Sequence, residues 1–132
     1  MPPPVLAGCN DDLAPGVPDL RGLWKAFRVE ANGRAIEHPD YQERIEQAGN
    51  RVVITAGGVI HDMRADGTLE NGVNDVSGFD GSAISVAASF EDGHLVLRPN
   101  NAFVAVTRHI EGDVLVWNLL PLERVTWMRR AG

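Results

Sequence analysis

The stretch GLWKAFRV, residues 22–29, decides how the rest of the chain is interpreted. It joins a Gly-x-Trp head to aromatic and β-branched residues, which favour strands. Short β segments with tight turns follow it to the end of the chain. We therefore interpret residues 20–30 as a first strand, onto which the later strands close back to form a small hollow barrel.

The composition indicates one globular domain. A chain of 132 residues can bury one core, and its hydrophobic fraction of 44% and charged fraction of 23% are ordinary for a globular protein. The net charge of −6 argues against a nucleic-acid surface, which needs clustered lysine and arginine. The apolar runs are too short to span a bilayer.

The single cysteine, Cys9, excludes an internal disulfide and fits a reducing compartment, so we expect a cytoplasmic protein. The stretch LAGC, residues 6–9, matches a bacterial lipoprotein cleavage box. Cleavage needs a charged and then an apolar segment before the box. Residues 1–5 supply neither, so a lipid anchor at Cys9 is expected only if the true start lies upstream.

The N-terminal leader differs from the rest of the chain. Residues 1–18 carry five prolines, which remove backbone donors and disfavour a central strand. We interpret them as an extended arm laid over one end of the barrel. Residues 19–132 then form the single barrel domain.

Residues 40–48 carry a helix pattern. Asp40 can cap a helix, and Glu43 follows at the capping-box spacing. An apolar stripe has helical spacing: Tyr41, Ile45 and Ala48. The pattern predicts one short helix that packs its stripe over the open mouth of the barrel.

The remaining segments are predicted strands joined by hairpin turns such as Asp-Gly. An up-and-down barrel removes the edges that an open meander would expose. We therefore expect an all-β, up-and-down antiparallel barrel of eight or nine strands with one short helix after the first; a two-sheet sandwich is the alternative. The predicted later strands are residues 51–56, 59–65, 68–76, 83–90, 94–98, 103–110, 114–120 and 124–130.

Several of these strands are apolar on both faces, as in residues 83–90. Alternation sends one face into the barrel and leaves the other outside. A helix packed on the outer face, or a homodimer interface, would cover this second apolar face. A homodimer is accordingly one of our expectations.

Gly22-Leu23-Trp24 resembles the Gly-x-Trp signature of the calycins, which include lipocalins, fatty-acid-binding proteins and avidins. In that group the tryptophan closes one barrel end, and an arginine of the last strand packs across its ring. The resemblance implies that Trp24 closes a floor beneath Arg129 or Arg130, with the functional residues at the other end. The layout is most similar to the fatty-acid-binding branch, but the last strand here lacks that branch's Arg-x-Tyr carboxylate clamp.

Three polar side chains within strands are candidates for chemistry. His61 and His109 could both point inward, where they would position a polar group of the ligand or shuttle a proton; alternatively each is a partly buried, hydrogen-bonded histidine. An inward Arg108 would need a carboxylate from the protein or the ligand, whereas an outward one would be solvated.

The aromatic and apolar residues of the strands serve either as core or as a platform for a ligand. On the second interpretation, the predicted ligand-binding residues are Tyr41, His61, Met63, Phe90, Phe103, Thr107, His109 and Trp117. No spacing supplies a third metal ligand. The chain has no Gly-x-Ser-x-Gly elbow and no glycine-rich phosphate loop, so we expect no metal and no cofactor.

The sequence supports two functions of different classes. The first is binding of a small hydrophobic ligand in the interior of a lipocalin-like barrel. The second is a cofactor-independent isomerase or cyclase that orients a hydrophobic substrate in the same cavity, with His61, His109 and Arg108 as catalytic candidates. A third possibility is a solid barrel, filled by Trp117 and phenylalanines, that acts through its outer face.

Overall fold

A computed structural model of the protein describes residues 2–6, 12–36, 40–77 and 83–131. In this part of the chain the only helical element is a 3-10 turn at Leu120–Leu122. The strands in chain order are β1 Gly22–Ala31, β2 Arg34–Ile36, β3 Gln42–Ala48, β4 Arg51–Ala56, β5 Val59–Arg64, β6 Val73–Ser77, β7 Ala83–Glu91, β8 His94–Pro99, β9 Val106–Glu111, β10 Val114–Leu119 and β11 Arg124–Arg130.

All of these strands pair antiparallel in one sheet, in the order β5-β4-β3-β1-β11-β10-β9-β8-β7-β6, with β2 beside β1. One edge of β1 pairs with β3 and then β2, and the other pairs with β11 along its length. Because the first and last strands pair, the meander curls into a nearly closed barrel. The predicted all-β, up-and-down antiparallel barrel is confirmed, and each predicted strand overlaps an observed one.

The predicted helix at residues 40–48 is wrong, because this segment forms β3 between β1 and β4. Burial along β3 alternates with period two, since Glu43, Ile45 and Gln47 are buried and their neighbours are less so. Two of these inward residues are polar, yet both find partners inside the barrel. The Gln47 side-chain oxygen, for example, accepts a 2.6 Å hydrogen bond from the Leu20 amide.

The inner face of the sheet holds one apolar core. The buried residues that form it come from strands all around the barrel, and they include Trp24, Ile45, Val52, Ile54, Met63, Val73, Ala88, Leu95, Leu115 and Met128. Trp117 and Phe90 pack against this core. The interior is therefore well filled toward the end of the barrel where Trp24 lies.

The sheet meets itself between β5 and β7. Gly67, just after β5, donates a 2.8 Å backbone hydrogen bond to the Ala88 carbonyl of β7. A Cβ atom at Gly72 would lie 1.8 Å from the Val86 carbonyl oxygen. The backbone approach at this junction is therefore so close that only glycine fits at position 72.

Trp24 closes one end of the barrel. Its side chain is fully buried, and its Nε1 donates a 2.9 Å hydrogen bond to the Leu20 carbonyl. The Arg130 guanidinium lies 4.3 Å from the Trp24 ring centroid. Arg129 instead lies 3.9 Å from the ring of Phe27, which is one of the exposed apolar residues. The expected arginine contact across Trp24 is thus made by Arg130.

The N-terminal segment, residues 2–6, lies against the outer face of β3. Its last two backbone amides donate hydrogen bonds of 3.0 and 2.8 Å to the Glu46 carboxylate. Glu46 is the register partner of Val53 on β4, and Val53 is fully buried although it is on the outer face. The segment therefore helps to explain why β4 is apolar on both faces.

Two sequence expectations concern membranes. Within the described residues, no helix has the length and apolar character that crossing a bilayer requires. Cys9, the residue that a lipoprotein anchor would use, lies outside the described residues.

Candidate functional site

Three strands, on different sides of the barrel, bring a polar cluster into its interior. We call this set the lumen cluster: Tyr41, Glu43, Arg108 and Trp117. Tyr41 and Glu43 come from the start of β3, whereas Arg108 of β9 and Trp117 of β10 are register partners. Since β1, β11 and β10 separate β3 from β9 in the sheet, contacts between Glu43 and Arg108 cross the lumen.

Glu43 and Arg108 form a bidentate ion pair. Arg108 Nε donates to Glu43 Oε2 at 2.9 Å, and Nη2 donates to Oε1 at 3.0 Å. The Glu43 side chain is 0% exposed and the Arg108 side chain is 6% exposed. The Tyr41 hydroxyl also donates to Oε1, at 2.7 Å. Both carboxylate oxygens are therefore occupied, and the pair as a whole is electrically neutral.

Trp117 forms one wall of the lumen cluster. The Arg108 guanidinium carbon lies 4.6 Å from the Trp117 ring centroid, a cation–π contact. The Tyr41 ring lies 5.3 Å from the Trp117 ring at 31°. Trp117 Nε1 is buried, and no acceptor among the described residues lies within hydrogen-bonding distance of it.

The surroundings raise the pKa of Tyr41 well above its usual value. Burial is the largest cause, because it disfavours the phenolate, and the negative charge of Glu43 acts in the same direction. The Arg108 charge lowers the pKa but does not outweigh them. Tyr41 is thus a neutral hydrogen-bond donor across the physiological range.

Ultraviolet titration can test this shift, because Tyr41 is the only tyrosine in the chain. In the folded protein we expect phenolate absorbance near 295 nm to appear only above the range of a free tyrosine, whose pKa is about 10. In denaturant the transition should return to that range. Because the folded pKa is raised, the neutral tyrosine stabilises the fold fully below about pH 10, and this contribution is lost as the pH rises further. A normal transition in the folded protein would contradict the placement of Tyr41.

An open cleft of about 480 Å³ lies where β3 begins and β4 ends. It is lined by Asp40, Tyr41, Gln42, Ala56 and Gly57. Tyr41 therefore belongs both to the cleft and to the lumen cluster. We call this end of the barrel the mouth.

Large exposed apolar residues gather in the turns and strand ends at the mouth. They are Ile36, Val59, Phe103, Leu120 and Leu122, and their exposed fractions run from 42% to 59%. We call this set the apolar rim. Exposed apolar side chains clustered at one opening are typical of a ligand entrance or a docking surface.

The structure separates the predicted ligand-binding residues. Tyr41, His61, Met63, Phe90 and Trp117 are on the inner face of the sheet, in the register that carries the core residues. Arg108, the catalytic candidate with apolar strand neighbours, is also inside. Phe103 is 59% exposed at the mouth and precedes β9. Because Arg108 points inward, its neighbours Thr107 and His109 are on the outer face.

His61 and His109 are therefore not brought together. On the outer face, the His109 ring stacks on His94 with a centroid separation of 4.5 Å, and His109 Nε2 lies 3.3 Å from a Glu111 oxygen. Within the described ranges, no group of three or more histidine, cysteine, aspartate or glutamate residues is placed to hold a metal ion. The polar side chains that meet inside the barrel are those of the lumen cluster. Glu43 is the member of this cluster that the sequence did not indicate as an interior residue.

The functional proposal for this chain depends on the geometry of the site. The chain matches no protein-family model, and it matches none of the curated proteins.

Proposed function

We propose that the protein binds a small hydrophobic molecule at the mouth of the barrel, with the apolar part in the cleft and a polar group toward the lumen cluster. The cleft beside Tyr41 supplies the space, and its volume of about 480 Å³ is in the range typical of small-molecule sites. The apolar rim supplies a hydrophobic entrance. A few polar groups at the base of an apolar site are the usual means of orienting a ligand.

The observation that carries the proposal is the buried Glu43–Arg108 pair. Removing two charges from water costs free energy, and well-packed apolar residues often stabilise such a position as well or better. The pair is linked to Tyr41, whose pKa is strongly shifted and whose side chain lines the cleft. A perturbed titratable group in a cleft is a common property of functional sites.

The floor of the barrel supports a calycin-like origin for this binding mode. The Trp24 ring beneath the Arg130 guanidinium matches the contact that the Gly-x-Trp resemblance implies. The mouth departs from the fatty-acid-binding branch, since the segment 40–48 that would have supplied a helical lid is strand β3. On this proposal the ligand enters past the apolar rim and without a helical portal.

The isomerase or cyclase alternative is less well supported. Of its three catalytic candidates, His109 is on the outer face and Arg108 is committed to Glu43. The third candidate, His61, is on the inner face but does not line the cleft. We therefore favour binding, and we propose a cytoplasmic protein on the basis of its single cysteine; a homodimer remains a prediction.

Filling the cleft should weaken ligand binding. We expect the neutral dye Nile red to bind saturably to the purified protein with a rise in fluorescence. Ala56→Phe places a ring in the cleft and should weaken this binding by about tenfold or more, equivalent to about 1.4 kcal/mol. Circular dichroism and chemical denaturation would establish that the variant is folded.

The matched control is Ala131→Phe, the same substitution at an exposed residue beyond the floor end of β11. It should leave dye binding unchanged. Equal effects of the two substitutions, or no saturable binding by the unmodified protein, would overturn the proposal.

A further inference from the structure

The indole N–H of Trp117 is a donor inside the barrel with no protein partner in the described part of the chain. An indole nitrogen can donate but cannot accept a hydrogen bond. A buried donor without an acceptor costs free energy, and most buried polar groups in proteins are therefore paired. The ring itself is well held, by Tyr41 on one side and Arg108 on another.

The other residues of the lumen cluster already use most of their hydrogen-bonding capacity on one another. Both oxygens of Glu43 are already hydrogen-bonded to Arg108, and one of them also to Tyr41. Arg108 uses Nε and Nη2 in that pair. A ligand group that reaches the cluster therefore meets the unpaired indole N–H of Trp117 on β10.

The charge of the cluster restricts that group further. The Arg108 charge is neutralised by Glu43 at 2.9 Å, so a ligand carboxylate would enter the lumen without a free counter-charge. Burying an unpaired carboxylate is far more costly than burying a neutral carbonyl that receives a hydrogen bond. A neutral acceptor satisfies the indole N–H and leaves the ion pair intact.

We infer that the ligand of this barrel is an apolar molecule with a neutral carbonyl acceptor, of the ketone, ester or amide class, which accepts a hydrogen bond from Trp117 Nε1. This inference rests on the proposed binding function and specifies its ligand. It separates the protein from carriers that recognise a carboxylate, because the only arginine in the lumen cluster is already paired.

Three probes of nearly equal shape test the inference: 2-acetylnaphthalene, 2-isopropylnaphthalene and 2-naphthoate, which carry a ketone, a hydrocarbon and a carboxylate. Each is titrated against bound Nile red. The ketone should bind about 3- to 10-fold more tightly than the hydrocarbon, the gain of one neutral hydrogen bond. The carboxylate should bind more weakly than the ketone.

Trp117→Phe keeps an aromatic ring and removes the N–H group. In this variant the advantage of the ketone over the hydrocarbon should disappear, and the ratio of the two affinities is the quantity compared with the unmodified protein. The matched control Trp127→Phe alters a partly exposed residue of β11 and should keep the advantage. In ¹⁵N–¹H spectra of the unmodified protein, the Trp117 indole resonance should shift downfield with the ketone and not with the hydrocarbon.

The outcomes separate the two proposals. Equal affinities for ketone and hydrocarbon, or tightest binding of the carboxylate, would overturn this inference and leave the binding function standing. Failure of all three probes to displace bound dye would overturn this inference alone, whereas the absence of saturable dye binding would overturn both. If Trp117→Phe does not fold, the indole resonance decides, and an unshifted signal in the ketone complex overturns the inference.

Discussion

Arg108→Met should destabilise the fold by about 3–5 kcal/mol, the loss expected when one partner of a buried ion pair is removed. The substitution leaves the Glu43 carboxylate fully buried with only the Tyr41 hydroxyl as a partner. Methionine fills a similar volume, so the effect would reflect the unpaired charge more than a cavity. Chemical denaturation monitored by circular dichroism measures it.

Two comparisons make this result specific. Arg98 is also a strand arginine paired with a glutamate, but its ion pair with Glu91 is on the surface, and Arg98→Met should change stability little. The double variant Glu43→Met/Arg108→Met removes both charges and should recover most of the loss. A single variant at Arg108 no less stable than the one at Arg98 would show that the pair is not buried as described.

Trp24→Ala should also cost about 3–5 kcal/mol, as for other large aromatic residues in a packed core. Trp24 is fully buried, and it connects Leu20 to the floor through its Nε1 hydrogen bond. Removing the ring opens a cavity beneath Arg130 at the end of the barrel. The same denaturation experiment reports the loss.

Trp127→Ala is the control for Trp24, since this tryptophan is only partly buried on β11 and should cost about 1 kcal/mol. A milder change, Trp24→Phe, separates stability from function. It should lower stability but leave Nile red binding unchanged, because Trp24 is not among the residues that line the cleft. A loss of dye binding in folded Trp24→Phe would show that the dye binds at the floor and not in the cleft.

Local patterns in the sequence were sufficient for most of the barrel. The Asp-Gly and Glu-Gly-Asp turns predicted the hairpins, and alternation within each segment predicted strands that the structure contains. The resemblance of Gly22-Leu23-Trp24 to the calycin signature implied a tryptophan at one barrel end with an arginine across its ring. The turns and the alternation depend on residues that are neighbours in the chain, so a single sequence is enough to recognise them.

The segment 40–48 could not be assigned in this way because its stability as a strand depends on distant partners. Glu43 and Gln47 point into the barrel, where a binary pattern expects apolar residues, and Arg108 and Leu20 satisfy them there. Without those partners, the helix-spaced stripe that includes Tyr41 is the stronger local signal.

Only part of the candidate site could be identified from the sequence, because its residues also depend on partners that are distant in the chain. Arg108 was recognised because its strand neighbours are apolar and because an inward arginine must meet a carboxylate. Its partner Glu43 is 65 positions away and was assigned to the capping box of the predicted helix. For His109, either face of the strand fitted the alternation, and only the inward position of Arg108 places His109 outside.

The central claim is that the mouth of this barrel holds a small apolar molecule. Native mass spectrometry of freshly purified protein tests it most directly, since a ligand bound during expression would be carried through purification. We expect a species heavier than the polypeptide. Denaturation should release from it a neutral, carbonyl-containing apolar compound. The heavier species should be absent for Ala56→Phe and present for Ala131→Phe. A spectrum of bare polypeptide, together with no saturable Nile red binding, would contradict the claim.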